Sequence, residues 1–307
     1  MIEQPQPQQW TGKTGGTPWM QRTLIACLGW MNLPFVYAGM SLVVPFYMLF
    51  YRPGYLAQYR FFRHHMHYGR VRSFLNVYAN HFLFGTAMLD RFAAYGGAKF
   101  KITIEGNDYY WKKLSEPGGF LQLSSHFGNF EMAGYMLSQD LKQTNAIIYG
   151  GETDTITEHR KRLFREMNIH PIIPQADLSH IYAINSALER GEIVSMPGDR
   201  KLGSQKQFRC RFFDGYANFP MGPYLLAASK EVPLVSIFVL KEGIKRYRIF
   251  VEEVTLPDEY RQKPTRQRAA ALAQAFAEKL EYMVRKYPRQ WFNYYDFWEE
   301  QTAAESK

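Results

Sequence analysis

Between Gln4 and Leu89 the chain has no aspartate and no glutamate. Over the same stretch Lys13, Arg22, Arg52, Arg60, Arg63, Arg70 and Arg72 supply seven positive charges. Beside a long apolar segment, such an acid-free stretch fits attraction to anionic lipid headgroups. Cysteine is scarce as well. Cys27 and Cys210 are the two in the chain, without a CxxC pair or a neighbouring histidine, which argues against a zinc site. Both read as buried thiols in a reducing compartment. No GxSxG occurs, so the nucleophile elbow of a serine hydrolase is missing. There is no internal repeat and no recognisable RNA- or DNA-binding motif. The net charge of +9 would suit nucleic acid, but the basic residues gather near the apolar segment, and no nucleic-acid partner is expected.

What is present starts with apolar residues. They make up 46% of 307 residues, enough for one full-sized core and a small helical annex. Aromatics reach 16%, which suits either a large aromatic core or extensive contact with the lipid interface. From Thr23 to Tyr51 no side chain is charged. Crossing a bilayer takes roughly 20 apolar residues in a helix. Pro34 and Pro45 interrupt the run and leave two geometries open. One is a single kinked transmembrane helix. The other is a pair of shorter helices in the interface, hinged at Asn32-Leu33-Pro34. The run starts too late and is too long for a cleaved signal peptide. Basic residues are denser after the segment, which places the rest of the chain on the cytoplasmic side.

The remainder divides by texture. Residues 1–22 form a polar tail, 23–51 a membrane anchor, and 52–97 a basic, aromatic helical region. Residues 98–298 alternate strands and helices, and 299–307 form a loose tail. Strands are expected at 99–105, 118–125, 145–150, at HPIIP, at EIVSMPG and at 207–213. VPLVSIFVLKEG and RYRIFVEEVTL read as paired strands. Helices are expected at 129–141, 156–167, DLSHIYAINSALERG, GPYLLAASKE and 265–286. This is an α/β class, with a central mixed sheet flanked by helices and an N-terminal membrane-anchoring helical segment.

The sharpest local pattern is SSHFGNFE, residues 124–131. A buried strand ends at Ser124-Ser125, and His126 follows at its C-terminal end, where α/β folds place chemistry. Gly128-Asn129 make a turn, and Glu131 falls in the first turn of the next helix. Across such a junction the Glu131 carboxylate is expected to hold one imidazole nitrogen while the other faces the substrate. A histidine so placed takes a proton from an alcohol as it attacks a carbonyl, a contribution of about 10²–10⁴-fold. Asp199-Arg200 ends another strand, and Arg200 reads either as a steering or oxyanion-stabilising charge or as part of a turn-forming ion pair. Arg160, Lys161, Arg162 and Arg165 form a basic helix face, either solvated or binding a phosphorylated headgroup or carrier. His64, His65 and His67 lack the partners of a metal site and read as interfacial polar residues. Trp291 and Tyr294 suit an acyl tunnel or the core.

HFGNFE resembles the His-x-x-x-x-Glu motif of the bacterial lipid A late acyltransferases, the lauroyl and myristoyl transferases. Glycerolipid acyltransferases usually carry Asp at the second position, so Glu131 favours the lipid A branch. Residues 198–239 resemble that family's second block, and YPRQWFNYYDFW (287–298) its C-terminal Pro-x-Gln-Trp stretch. With the anchor, the resemblance covers about residues 20 to 298. It implies a membrane-bound O-acyltransferase that moves a fatty acyl chain from acyl carrier protein to a hydroxyl of a lipid A precursor or related lipid. It implies His126 and Glu131 as catalytic residues and Asp199 and Arg200 as substrate-binding; Arg160, Arg162 and Arg165 join the expected substrate-binding set through the charge of their helix face. It implies no metal and no cofactor beyond the acyl carrier protein thioester. The expected place is the bacterial inner membrane, with anionic lipids as partners. Departures concern the acceptor: GGETDTITEHRKR stands where an Asn-Pro pair is usual, and Asp296 and Glu299-Glu300 stand where basic residues are usual. The alternatives are a lysophospholipid, amino-acid-lipid or polyene O-acyltransferase and, in another class, a non-catalytic membrane-binding protein.

Overall fold

The computed structural model describes residues 18–136, 141–148, 164–165, 167–175, 177, 179–200 and 206–298. The apolar segment forms two helices, α1 (Pro18–Trp30) and α2 (Leu33–Phe50), separated at Met31-Asn32. Asn32 is extended, and Pro34 enters at the start of α2, where a missing N–H costs no helix bond. Pro45 is carried within α2. One stripe of α2, namely Leu33, Tyr37, Val44 and Met48, is buried, at the spacing that keeps residues on one helix face. Phe35, Leu42, Phe46, Leu49 and Phe50 remain exposed. Among the described residues α2 is the one helix long and apolar enough to cross a membrane.

Helix α3 (Arg52–Arg60) runs into a π-helical turn at Phe61–His65, and α4 (Arg70–Tyr95) follows. Helix α4 buries an unusual set of polar residues: Asn76, Asn80, His81, Asp90 and Arg91. Buried polar groups need partners. Asn80 finds them in the carbonyls of Arg289 and Trp291, and Asn76 in the Arg289 guanidinium. The helix thereby holds the C-terminal segment.

The main sheet has the order β1-β9-β8-β2-β5-β3-β4. Its strands are β1 (Lys101–Glu105), β2 (Phe120–Ser124), β3 (Thr144–Ile147), β4 (Ile169–Ile172), β5 (Ile193–Pro197), β8 (Leu234–Gly243) and β9 (Arg246–Glu253). Strands β2, β3, β4, β5 and β8 run parallel; β9 is antiparallel to β8 and carries β1 parallel to itself. Every residue of β2 is buried, as expected of a parallel strand covered on both faces. Along β8, Phe238 and Leu240 join the larger core with Phe276 and Leu280 of α9 (Thr265–Lys286), while Val235, Ile237 and Val239 face the other side. That second side is covered by α5 (Asn107–Ser115) and α6 (Glu131–Met136). Helices α7 (Ser179–Glu189) and α8 (Met221–Lys230) complete the described set.

One strand escaped the sequence reading. The sequence reading passes from the strand at 207–213 to the helix at GPYLLAASKE and places no strand between them. Instead β6 (Gln207–Phe212) and β7 (Gly215–Pro220) form an antiparallel hairpin of their own. Ala217 and Phe219 point inward on alternate positions of β7, so tertiary packing overrides a weak local preference. The basic helix expected at 156–167 lies mostly outside the described residues.

Candidate active site

Strands β2 and β5 are neighbours in register, with Ser124 opposite Pro197, the last residue of each. Two residues further on stand His126 and Asp199. Their meeting follows from the parallel pairing, which brings two strand ends to the same edge of the sheet. The His126 backbone N–H donates to Asp199 Oδ2 at 2.8 Å, and Nδ1 lies 3.0 Å from Oδ1. A carboxylate only accepts, so Nδ1 carries the proton and Nε2 is left as the basic nitrogen. The Asp199 side chain is 1% exposed and that of His126 23%, so the imidazole is the member solvent reaches.

Burial pulls the imidazole below its ordinary pKa, and the Arg200 guanidinium pulls it further. The charge and hydrogen bond of Asp199, and then the charge of Glu131, push the other way without reversing the outcome. The ring is therefore neutral at pH 7, the form a general base requires. For Asp199, burial pushes the carboxyl up, but the bonds to His126 and the Arg200 charge bring it below the ordinary value.

The turn after His126 is held by backbone. Gly128 has φ +63°, and its N–H donates to Gln290 O at 2.6 Å. A Cβ there would stand 1.7 Å from Val239 O, so no side chain fits. The Asn129 N–H donates to Val239 O at 3.0 Å, and the Phe292 N–H to His126 O at 2.8 Å. This accounts for the Pro-x-Gln-Trp stretch. Gln290 accepts from Lys241 N and donates to Lys241 O through its side chain, at 2.9 and 2.8 Å. Trp291 bridges to Phe127 and sits fully buried among Phe61, Phe212 and Phe297, so it belongs to the core.

Two expected roles change. The carboxylate on Nδ1 is that of Asp199; Glu131 instead accepts from Arg91 Nη1 at 2.6 Å. Glu131 heads α6, which points it toward α4, while Asp199 arrives beside His126 through the β2–β5 register. Asp199, read as substrate-binding, is buried with both oxygens on His126. Arg200 stays beside His126, donating to Phe292 O at 3.0 Å with its guanidinium over the Tyr295 ring. Arg165 is exposed; Arg160 and Arg162 lie outside the described residues. His65 pairs with Asp214 and stacks on Trp298, and His67 Nε2 lies 3.8 Å from Asp214. Arg91 was missed. Its signal was present: Asp90-Arg91 stand inside an otherwise apolar helical run, directly after the acid-free stretch.

Residues 72–299 match the family model of the bacterial lipid A biosynthesis acyltransferases. The chain belongs to that family. It is an acyltransferase of lipid A biosynthesis type, and the match takes in nearly all of α4, the whole sheet and the C-terminal aromatic stretch. The 1-acyl-sn-glycerophosphate (LPA) acyltransferase PlsC from Thermotoga maritima is a similar solved structure. It is 11% identical, with a TM-score of 0.33 over 81% of this chain and 98% of that one. No curated protein matches this acyltransferase by sequence.

Proposed function

We propose that the protein transfers a fatty acyl chain from acyl carrier protein directly to a hydroxyl of a lipid A precursor, with His126 as general base. The observation that carries this reading is the His126–Asp199 pair at the joint end of β2 and β5, with the proton on Nδ1 and a neutral ring. The acceptor O–H gives its proton to Nε2 as the oxygen attacks the thioester carbonyl. The tetrahedral oxyanion forms near the Arg200 charge. As it collapses, the C–S bond breaks, the imidazolium returns its proton to the departing thiolate, and an ester and a free carrier thiol remain. Asp199 keeps the tautomer and supports the imidazolium, and Glu131 adds a weaker charge of the same sign.

The same reading puts the enzyme on the cytoplasmic face of the inner membrane. Helix α2 exposes an apolar side and is followed by the exposed Arg52, and α4 exposes Val71, Phe74 and Leu75 beside the exposed Arg70 and Arg72, features suited to anionic lipid. Acyl carrier proteins are acidic, and the basic residues Arg160, Arg162 and Arg165 suit such a partner. Lipid profiling of a host with and without the protein tests the reading. The expected result is a lipid A species heavier by one acyl chain when the protein is present. An unchanged lipid A, with the mass gain on another lipid, would contradict the acceptor.

A further inference from the structure

Asp90 lies in α4, fully buried, one residue before the arginine that holds Glu131. Its carboxylate takes donors from three other elements: the Tyr37 hydroxyl of α2, the Lys241 ammonium of β8 and the Tyr247 hydroxyl of β9. Lys241 Nζ also donates to the Tyr37 oxygen at 3.0 Å and lies over the Tyr37 and Tyr247 rings. The Tyr247 hydroxyl in turn accepts from Asn129 Nδ2 at 3.2 Å, and Asn129 Nδ2 donates to Ala87 O of α4 at 2.9 Å. Asn129 is in the turn between His126 and Glu131.

Helix α4 therefore grips this turn twice, at Asn129 through Ala87 and Tyr247, and at Glu131 through Arg91. The same end of α4 is where the N-terminal helices seat. Ile25, Leu28, Leu33 and Tyr37 pack there with Leu89, Phe92 and Tyr95. A buried carboxylate is tolerated only when paired and hydrogen-bonded, and an apolar set of the same volume is often as stable. What a fully satisfied polar cluster adds is a single geometry. Here that geometry joins the apolar helix to the proposed catalytic turn.

We propose that Asp90, with Tyr37, Lys241 and Tyr247, acts as a positioning residue that fixes the 126–131 turn relative to α2, so that the seating of the apolar helix sets the geometry of acyl transfer. This rests on the reading of His126 as base. None of the four side chains is assigned contact with substrate.

The test uses the full-length protein in detergent micelles, with a lauroyl thioester of acyl carrier protein and a lipid A precursor. Tyr37→Phe and Tyr247→Phe keep the rings and remove one hydroxyl each. Both are expected to lower kcat by up to about 100-fold, the scale of a 1 Å misplacement of the reacting groups, with KM for the thioester unchanged. In a second pair, Asp90→Leu alone is expected to lower the thermal midpoint, and adding Lys241→Met to restore it while kcat stays low. Wild-type kcat in both Phe variants overturns the proposal. So does a double variant that regains midpoint and kcat together, since the cluster would then serve stability alone. If the double variant does not fold, the Phe variants decide. His126→Ala is run alongside: turnover by that variant removes the base itself, whereas an inactive His126→Ala beside wild-type Phe variants removes only the positioning role.

Discussion

Opposite charges compete over the proton affinity of His126. Arg200 lowers it and Asp199 raises it, on top of the depression from burial. Activity that needs the neutral ring is lost as pH falls through the His126 pKa, which lies below the ordinary imidazole value. Removing Arg200 removes a depressing charge, so Arg200→Met moves the acid limb of kcat/KM to higher pH. Removing Asp199 removes a raising charge, so Asp199→Asn moves the limb to lower pH. The amide also favours the wrong tautomer, and kcat falls by about 10⁴-fold. Glu131→Gln moves the limb in the same direction as Asp199→Asn but by less, because its charge acts more weakly on the ring. The pH profiles of the three variants check these signs. Equal shifts for Glu131→Gln and Asp199→Asn would return Glu131 to the role of principal partner. His126 was legible from its place at a strand end before a glycine turn. Its partner was not. Asp199 is 73 residues away and reaches His126 through the pairing of β2 with β5, which no local pattern specifies.

Among the elements, the strands of the main sheet and the helix at 265–286 were readable from alternation and from apolar spacing. Strand β7 was not, because its ordering comes from the inward placement of Ala217 and Phe219 against the core. The break between α1 and α2 was readable as a hinge, but proline positions alone left two geometries open. The turn at Gly128 was readable as a turn, but not as a contact. Only the fold shows that it closes on Val239 and Gln290. Gly128→Ala places a side chain at φ +63° and 1.7 Å from a carbonyl. The backbone alone costs about 1–2 kcal/mol, and the clash forces the turn away from β8. The expected outcome is a lower thermal midpoint together with loss of kcat. A variant that melts lower but keeps full kcat would show that His126 does not depend on this turn.

At the scale of the molecule, the lack of acidic charge and the exposed apolar surface fall on the same part of the chain. The region that lacks acidic residues is also the region whose helices expose Phe35, Phe46, Phe50, Phe74 and Leu75. Helix α2 divides itself between a stripe on α4 and a face left open, the arrangement expected of a helix that meets both protein and lipid. Burying one phenylalanine is worth about 1.5–3 kcal/mol. Phe46→Ser with Phe50→Ser, both on the open face, should therefore lower partition onto anionic vesicles by more than about tenfold. Co-sedimentation measures it, and unchanged partition would place the membrane contact elsewhere. The most direct test of the account is acyl transfer by folded His126→Ala, followed as release of the free carrier thiol. The variant is expected to bind vesicles and melt as the parent does, yet to show no thiol release above the uncatalysed rate. Turnover at the parent rate would contradict it.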